Sequence, residues 1–151
     1  MFQKILLVLD GSPAARKASD LALELAALHR AALTALFIVD GGWKNILGDE
    51  WISSAGLRDS FFLYMDQKIE GSARDLLAEA AGKGGCLGLQ VATLIRTGVP
   101  EQVLLSTWLE LGPFDLVILP NPSGRRAEGA VKINLQKAAR KLAVPLLIGP
   151  A

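Results

Sequence analysis

The apolar positions of the chain form short continuous runs separated by longer periodic segments. Largely apolar runs at residues 5–9 and 115–119 are typical of strands buried on both faces of a sheet, and the run at residues 33–39 predicts another strand. A fourth run at residues 144–148 predicts another strand. Residues 89–96 alternate imperfectly between apolar and polar, which indicates a strand nearer an edge of the sheet.

Between these runs the apolar residues recur every three or four positions, which predicts helices. The first helix is expected to follow the turn at residues 10–13, with Ser12 as its N-cap and Pro13 in the first helical position. The second is an amphipathic helix over residues 62–80. It is predicted to stop at the following glycines, Gly82, Gly84 and Gly85.

Two further helices complete the pattern. One begins near Pro100, which the first helical turn tolerates, and ends at Pro113. The last covers residues 131–142. Residues 43–58 have no clean period and are interpreted as either a lid-like loop or a short helix.

The resulting order is βαβαβαβαβ, with a helix in every crossover. It predicts an α/β fold with a doubly wound parallel sheet and helices on both faces. Two strand orders are common for such a string, and in both of them ligands bind outside the carboxyl ends of the strands, where the order reverses. At 151 residues, the chain is expected to form a single domain over residues 1–151.

Composition and charge exclude several classes of function. The net charge of +1 comes from 16 basic and 15 acidic residues mixed along the chain, so we expect no nucleic-acid partner. No apolar run approaches the length of a membrane span or of a signal peptide. The single cysteine, Cys86, leaves no intrachain disulfide, and the cytoplasm is the expected location. The only histidine, His29, lies late in a helix with no catalytic neighbour.

Two segments at the predicted carboxyl ends of strands could bind a ligand. Asp10, followed by Gly11 and Ser12, could hydrogen-bond a ribose hydroxyl or an amine, or it could instead accept the hydrogen bonds of its own turn. After the fourth strand, Ser123, Gly124, Arg125 and Arg126 precede a helix. There the free N–H groups and the helix dipole favour an anion such as phosphate, although the arginines could equally be solvated in an exposed connection.

Five segments, in chain order, resemble the successive signatures of the universal stress protein family. They are Ile5-Leu6-Leu7-Val8-Leu9-Asp10-Gly11-Ser12, Phe37-Ile38-Val39-Asp40, Thr97-Gly98-Val99-Pro100-Glu101, Phe114-Asp115-Leu116-Val117-Ile118-Leu119 and Val144-Pro145-Leu146-Leu147-Ile148. The resemblance spans essentially the whole chain. It implies five parallel strands in the order 3-2-1-4-5 and a homodimer formed by antiparallel pairing of the last strands, residues 144–148. It also implies that Asp10 contacts adenosine and that Ile38 or Val39 contacts the base.

The sequence departs from this family at its phosphate motif. Members that bind ATP carry G-x2-G-x9-G-[ST] after the fourth strand, whereas here the final pair falls on Lys132-Ile133 and the opening glycine region is Pro120-Asn121-Pro122. Side chains at these positions would crowd a phosphate, and proline also lacks an N–H donor. The resemblance therefore implies a degraded ATP motif, although an adenosine pocket could survive without it.

Three functions follow from these observations. The leading hypothesis is a non-catalytic stress-response and regulatory dimer that acts through protein partners without conventional ATP binding. The alternative is a switch that binds ATP or AMP, with possible weak ATPase activity, in which Arg125, Arg126 and Lys132 hold the phosphates. The third is an enzyme related to the adenine nucleotide hydrolases, for which the sequence offers no activating set of residues.

Overall fold

The computed structural model describes residues 2–40, 55–122 and 133–150, and within these ranges the chain forms five strands and four helices. The strands are β1 (Lys4–Leu9), β2 (Ala32–Asp40), β3 (Val91–Gly98), β4 (Leu116–Leu119) and β5 (Leu146–Ile148). The helices are α1 (Ala14–His29), α2 (Ala55–Cys86), α3 (Pro100–Leu111) and α4 (Leu135–Leu142). None of the described helices is both long enough and apolar enough to cross a membrane.

All strand pairs in the sheet are parallel, and the strand order is β3-β2-β1-β4-β5. The predicted fold class and the order 3-2-1-4-5 are therefore confirmed. The edge position predicted for β3 is confirmed as well. The order reverses between β1 and β4, so the crevice at their carboxyl ends is where this architecture places a ligand.

The central strand β1 is buried on both faces, which explains its continuous apolar run. Ile5, Leu7 and Leu9 belong to the core that packs against α1 and α2. Leu6 and Val8 point to the opposite face and belong to the core under α3 and α4. Because side chains alternate along a strand, only an unbroken aliphatic run can fill two cores at once.

The predicted N-cap of α1 is wrong. Helix α1 begins at Ala14, and its cap position is occupied by Pro13, which has no side chain able to accept a hydrogen bond. The hydroxyl of Ser12 instead donates to Asp10 Oδ1, and the Ser12 backbone N–H donates to the same oxygen at 2.9 Å. Ser12 is therefore part of a turn stabilised by the Asp10 carboxylate, two residues upstream, and it does not cap the helix. Aspartate side chains commonly accept hydrogen bonds from the backbone two residues on.

The predicted end of α2 is wrong too, because the helix continues through the glycine cluster to Cys86. Gly84 faces β3, and a Cβ atom at this position would lie 2.4 Å from Val91 Cγ2. This glycine therefore allows close packing of the helix on the sheet. The chain then leaves the helix through Gly88, whose φ of +73° favours glycine.

The other end of α2 and the last helix also differ from the predictions. Helix α2 begins at Ala55, so residues 55–58 of the segment without a clean period are helical, whereas residues 41–54 lie outside the described residues. Helix α4 begins at Leu135 rather than at residue 131. The predicted limits of α3 hold, since it starts at Pro100 and ends before Pro113.

The starts of β1 and β4 are joined by Asp115. Its Oδ2 atom accepts hydrogen bonds from the backbone N–H groups of Gln3, at 2.7 Å, and Lys4, at 3.0 Å. The Asp115 N–H in turn donates to the Lys4 carbonyl oxygen at 2.8 Å. The two N–H donors favour the ionised carboxylate and hold the pKa of Asp115 below its ordinary value.

The lowered pKa of Asp115 predicts a loss of stability in acid. The carboxylate contributes fully above the pKa of an unfolded aspartate, about 3.9, and its contribution disappears as the pH falls through the lower pKa of the folded state. We expect Asp115→Asn to weaken the fold at neutral pH and to flatten the acid limb of the stability curve. Urea unfolding at neutral pH and at about pH 3 tests this prediction. An acid limb unchanged from wild type would contradict it, and Asp75→Asn, at an exposed position of α2, is the matched control.

Candidate functional site

The crevice at the reversal of strand order is bounded by the segments that follow β1 and β4. Leu7 pairs with Ile118 in the register of these strands. Continued for three residues beyond this last pair, the register would place Asp10 level with Asn121. The two polar side chains that follow the central strands are therefore placed at the same edge of the sheet, where parallel sheets bind their ligands.

Asp10 is held within its own turn. Only 4% of its surface is exposed, and its Oδ1 atom accepts hydrogen bonds from both the N–H and the hydroxyl of Ser12. Gly11 is exposed and Ser12 is half-buried. Asp10 thus accepts the hydrogen bonds of its turn, as one of the two interpretations of the sequence predicts.

The two residues expected to contact a base differ in accessibility. Leu9 pairs with Phe37, which places Ile38 level with Asp10. Ile38 is 1% exposed and packs into the core under α3 and α4. Val39 is half-buried and packs against the opposite core. Of the two side chains, Val39 is the more accessible from the surface.

Asn121 is a residue of the crevice that the sequence analysis did not assign. Its Nδ2 donates to the Gly149 carbonyl oxygen at 3.1 Å, and the Gly149 N–H donates to the Leu119 carbonyl oxygen at 2.8 Å. Gly149 lies close to α1, since a Cβ atom at this position would lie 3.0 Å from the Cα of Ala18 and would require Ala18 to shift. An amide between two prolines at the end of a strand was the available signal in the sequence.

The segment predicted to hold phosphate, residues 123–133, is described only at Ile133. Ser123, Gly124, Arg125, Arg126 and Lys132 lie outside the described residues.

The described part of this segment begins at Ile133, the residue that the resemblance to the family predicts at the hydroxyl position of the ATP motif. Ile133 is partly buried and packs against the core under α3 and α4. An aliphatic side chain offers a phosphate no hydrogen-bond donor.

The N-terminus of α4 carries an acidic neighbour from another helix. The backbone N–H of Asn134 donates to Glu101 Oε1 at 2.9 Å, and Asn134 Oδ1 accepts the N–H of Lys137 at 3.1 Å. Glu101 lies in the first turn of α3. Its carboxylate thus lies at the positive end of the α4 dipole, where an external anion would otherwise bind. From the sequence, Glu101 was assigned only to the dipole of its own helix.

His29 and Cys86, the other residues considered as catalysts, lie outside the crevice between β1 and β4. The ring of His29 packs against Phe2 with 5.0 Å between ring centroids, and Cys86 is an exposed free thiol. In residues 2–40, 55–122 and 133–150, no three acidic, histidine or cysteine side chains are grouped as metal ligands.

A sequence model of the Universal stress protein family matches residues 1–148, which is nearly the whole chain. The chain belongs to this family. No curated protein sequence matches it. The family assignment confirms the resemblance drawn from the five short segments.

Solved structures of universal stress proteins share the fold over almost their full length. UspA from Lactobacillus plantarum has a TM-score of 0.71 at 20% identity, with 98% of this chain and 97% of that chain covered. A family member from Burkholderia pseudomallei has a TM-score of 0.65 at 24% identity, with 99% and 96% covered. A family protein from Arabidopsis thaliana, with AMP bound, has a TM-score of 0.63 at 14% identity, with 99% and 93% covered. At these identities the likeness concerns the fold.

Proposed function

We propose that this universal stress protein is a non-catalytic regulatory protein that acts through protein partners and does not bind ATP in the usual way of its family. The observation that carries the proposal is the hydrogen bond from the Asn134 N–H to the Glu101 carboxylate. A helix N-terminus attracts an anion through its free N–H groups and its dipole. Here the chain supplies that anion itself, so a phosphate would have to displace a carboxylate and then lie beside its negative charge.

The sequence after β4 supports the same proposal. Pro120 and Pro122 stand in the opening glycine region of the ATP motif and provide no N–H donors. Ile133 stands at the position of the hydroxyl and packs into the core. The backbone contacts and the hydroxyl through which the motif holds phosphates are thus replaced at these positions.

The proposal includes a single-domain chain that forms a cytoplasmic homodimer. Within the described residues, β5 is an edge strand of the sheet, and one side of its backbone pairs with no other strand. Its residues, Leu146 to Ile148, are apolar and only half-buried. Such an edge is suited to antiparallel pairing with a second copy. The single cysteine suits a reducing compartment.

A second candidate function is the binding of AMP or adenosine without the usual phosphate grip. It is favoured by the buried position of Asp10 at the reversal of strand order, and by the bound AMP in the Arabidopsis thaliana relative. In the switch version of this function, Arg125, Arg126 and Lys132 would hold the phosphates of ATP or AMP. Replacing Arg125 or Arg126 with alanine should then weaken nucleotide binding.

Calorimetric titration with ATP and AMP, with and without magnesium, tests the proposed function on protein freed of any nucleotide. We expect no measurable heat with ATP, because the N-terminus of α4 already holds a carboxylate. A dissociation constant for ATP in the micromolar range would overturn the proposal and favour the switch. Binding of AMP as tight as that of ATP would indicate an adenosine pocket that makes no use of the additional phosphates.

A matched variant in the same titration isolates the charge of Glu101. Glu101→Gln keeps an oxygen that can accept the Asn134 N–H but removes the negative charge, and we expect it to bind ATP with measurable heat where wild type gives none. The control is Glu110→Gln in the same helix, whose carboxylate lies 2.9 Å from Arg96. If Glu101→Gln binds ATP no better than wild type does, this charge is not what excludes phosphate.

A further inference from the structure

A groove runs between α3 and α4 on the face of the sheet that carries these two helices. It encloses a cavity of about 180 Å³. Its lining includes Val99, Leu104 and Leu105 on the side of α3, and Lys137, Ala138 and Lys141 on the side of α4. Glu101 of α3 also lines it, and its carboxylate accepts the Asn134 N–H at 2.9 Å. The groove is separate from the crevice between β1 and β4, and neither Asp10 nor Asn121 lines it.

The floor of the groove is apolar. Leu104 and Ala138 are buried in the core, and Leu105 is half-buried beside them. Val99 also lines the groove, with 55% of its surface exposed. Sites for cofactors and drug-sized ligands usually exceed about 300 Å³, so this cavity suits one apolar side chain of a larger partner rather than a nucleotide.

One wall of the groove is basic. Lys137 and Lys141 are one turn apart on α4, both are exposed, and both line the groove. Neither forms an ion pair with a carboxylate in residues 2–40, 55–122 or 133–150. Helix α4 also carries the exposed Arg140 and contains no acidic residue. The wall therefore offers two ammonium groups that a partner's carboxylates could neutralise.

The groove is held in shape before any partner arrives. Glu101 of α3 accepts the N–H of Asn134, which directly precedes α4, and Asn134 Oδ1 accepts the N–H of Lys137. The first of these bonds links the two walls at one end, and the second caps α4. A rigid groove loses little conformational freedom on binding, so a small apolar anchor and two ion pairs can give useful affinity.

We propose that this groove binds a segment of another protein that inserts one apolar side chain between α3 and α4 and places acidic residues against Lys137 and Lys141. The inference rests on the proposed function, which requires a protein partner, and it names the chemistry of that partner. The apolar floor supplies the anchor site, and the unpaired ammonium groups select acidic flanks and set the orientation. Binding should weaken as the salt concentration rises.

Selection from a displayed library of random 12-residue peptides tests the proposal on the full chain. Wild-type protein is the bait, and the affinity of each selected peptide is then measured for wild type and for Lys137→Glu/Lys141→Glu. We expect the selected peptides to share an apolar residue flanked by aspartate or glutamate. The double variant should bind them at least about tenfold more weakly than wild type does, because attraction becomes repulsion. Lys68→Glu, which changes an exposed lysine of α2 on the other face of the sheet, should bind them like wild type.

The remaining outcomes each decide against the groove. Peptides without acidic residues, peptides that perturb the NMR signals of α1 or α2 rather than α3 and α4, or a selection that yields no groove-dependent peptide would overturn the proposal. A dimer of wild type that dissociates in the double variant would assign the groove to a second copy of this chain and overturn it as well. None of these results changes the nucleotide titration, so failure of this inference can be distinguished from failure of the proposed function.

Discussion

Replacing Ile38 with alanine should lower the free energy of unfolding by about 2 to 5 kcal/mol. Ile38 is 1% exposed and packs into the core formed with α3 and α4. Truncation at such a site removes buried methyl and methylene groups and leaves a cavity that the neighbouring helices fill only in part. Urea unfolding, followed by circular dichroism and extrapolated to zero denaturant, measures the loss.

The matched control is Val39→Ala at the next position. Val39 is half-buried at the end of β2, so its truncation should cost clearly less than that of Ile38. The comparison also tests the role that the family resemblance assigns to these residues. If Ile38→Ala unfolds like wild type, the side chain is not part of the core and is available to a base. The expected result instead makes Val39 the better candidate for contact with a ligand.

The strands were predictable because their burial leaves a direct record in the sequence. A strand covered on both faces must be apolar wherever it is buried, as β4 is throughout and β1 is at residues 5–9. Strand order left no such record, since the pattern of apolar residues allowed two doubly wound orders. The order 3-2-1-4-5 came from the resemblance of segments such as Thr97-Gly98-Val99-Pro100-Glu101 to the family, which the match over residues 1–148 confirms.

The errors came where a residue type has two physical uses. Glycine ends helices, but it also permits close packing, and Gly84 serves the second use against Val91. Serine caps helices, but it also bonds to a nearby aspartate, and Ser12 does this with Asp10. The sequence alone does not decide between such uses, because the same residues allow either contact and only the folded backbone shows which one is made.

The candidate site contains two long-range contacts of this kind. Glu101 and Asn134 are 33 residues apart, and Asn121 and Gly149 are 28 residues apart. No local pattern predicts either hydrogen bond. Both contacts use polar groups at the carboxyl ends of the strands and at the start of α4, which are regions where related folds receive ligands. In this chain those groups bind each other, which is why the proposed function does not depend on a conventional ATP site.

Asp10 allows the same idea to be tested at the centre of the crevice. Asp10→Ala should lower the free energy of unfolding by about 1 to 3 kcal/mol. The Asp10 carboxylate is buried and accepts both the N–H and the hydroxyl of Ser12, and alanine would leave these donors without that acceptor. Ser12→Ala removes only the hydroxyl, so it should cost less than Asp10→Ala. Thermal and urea unfolding of both variants provide the comparison.

The combination of the two changes separates a structural role of Asp10 from a ligand-binding one. If the carboxylate serves the turn, the double variant should lose less stability than the sum of the two single variants, because they share one interaction. If Asp10 instead serves to bind a ligand, its buried carboxylate destabilises the fold in the absence of that ligand. Asp10→Ala should then be as stable as wild type or more stable. That second result would make Asp10 a binding residue and would favour the adenosine pocket over a crevice whose polar groups serve only the fold.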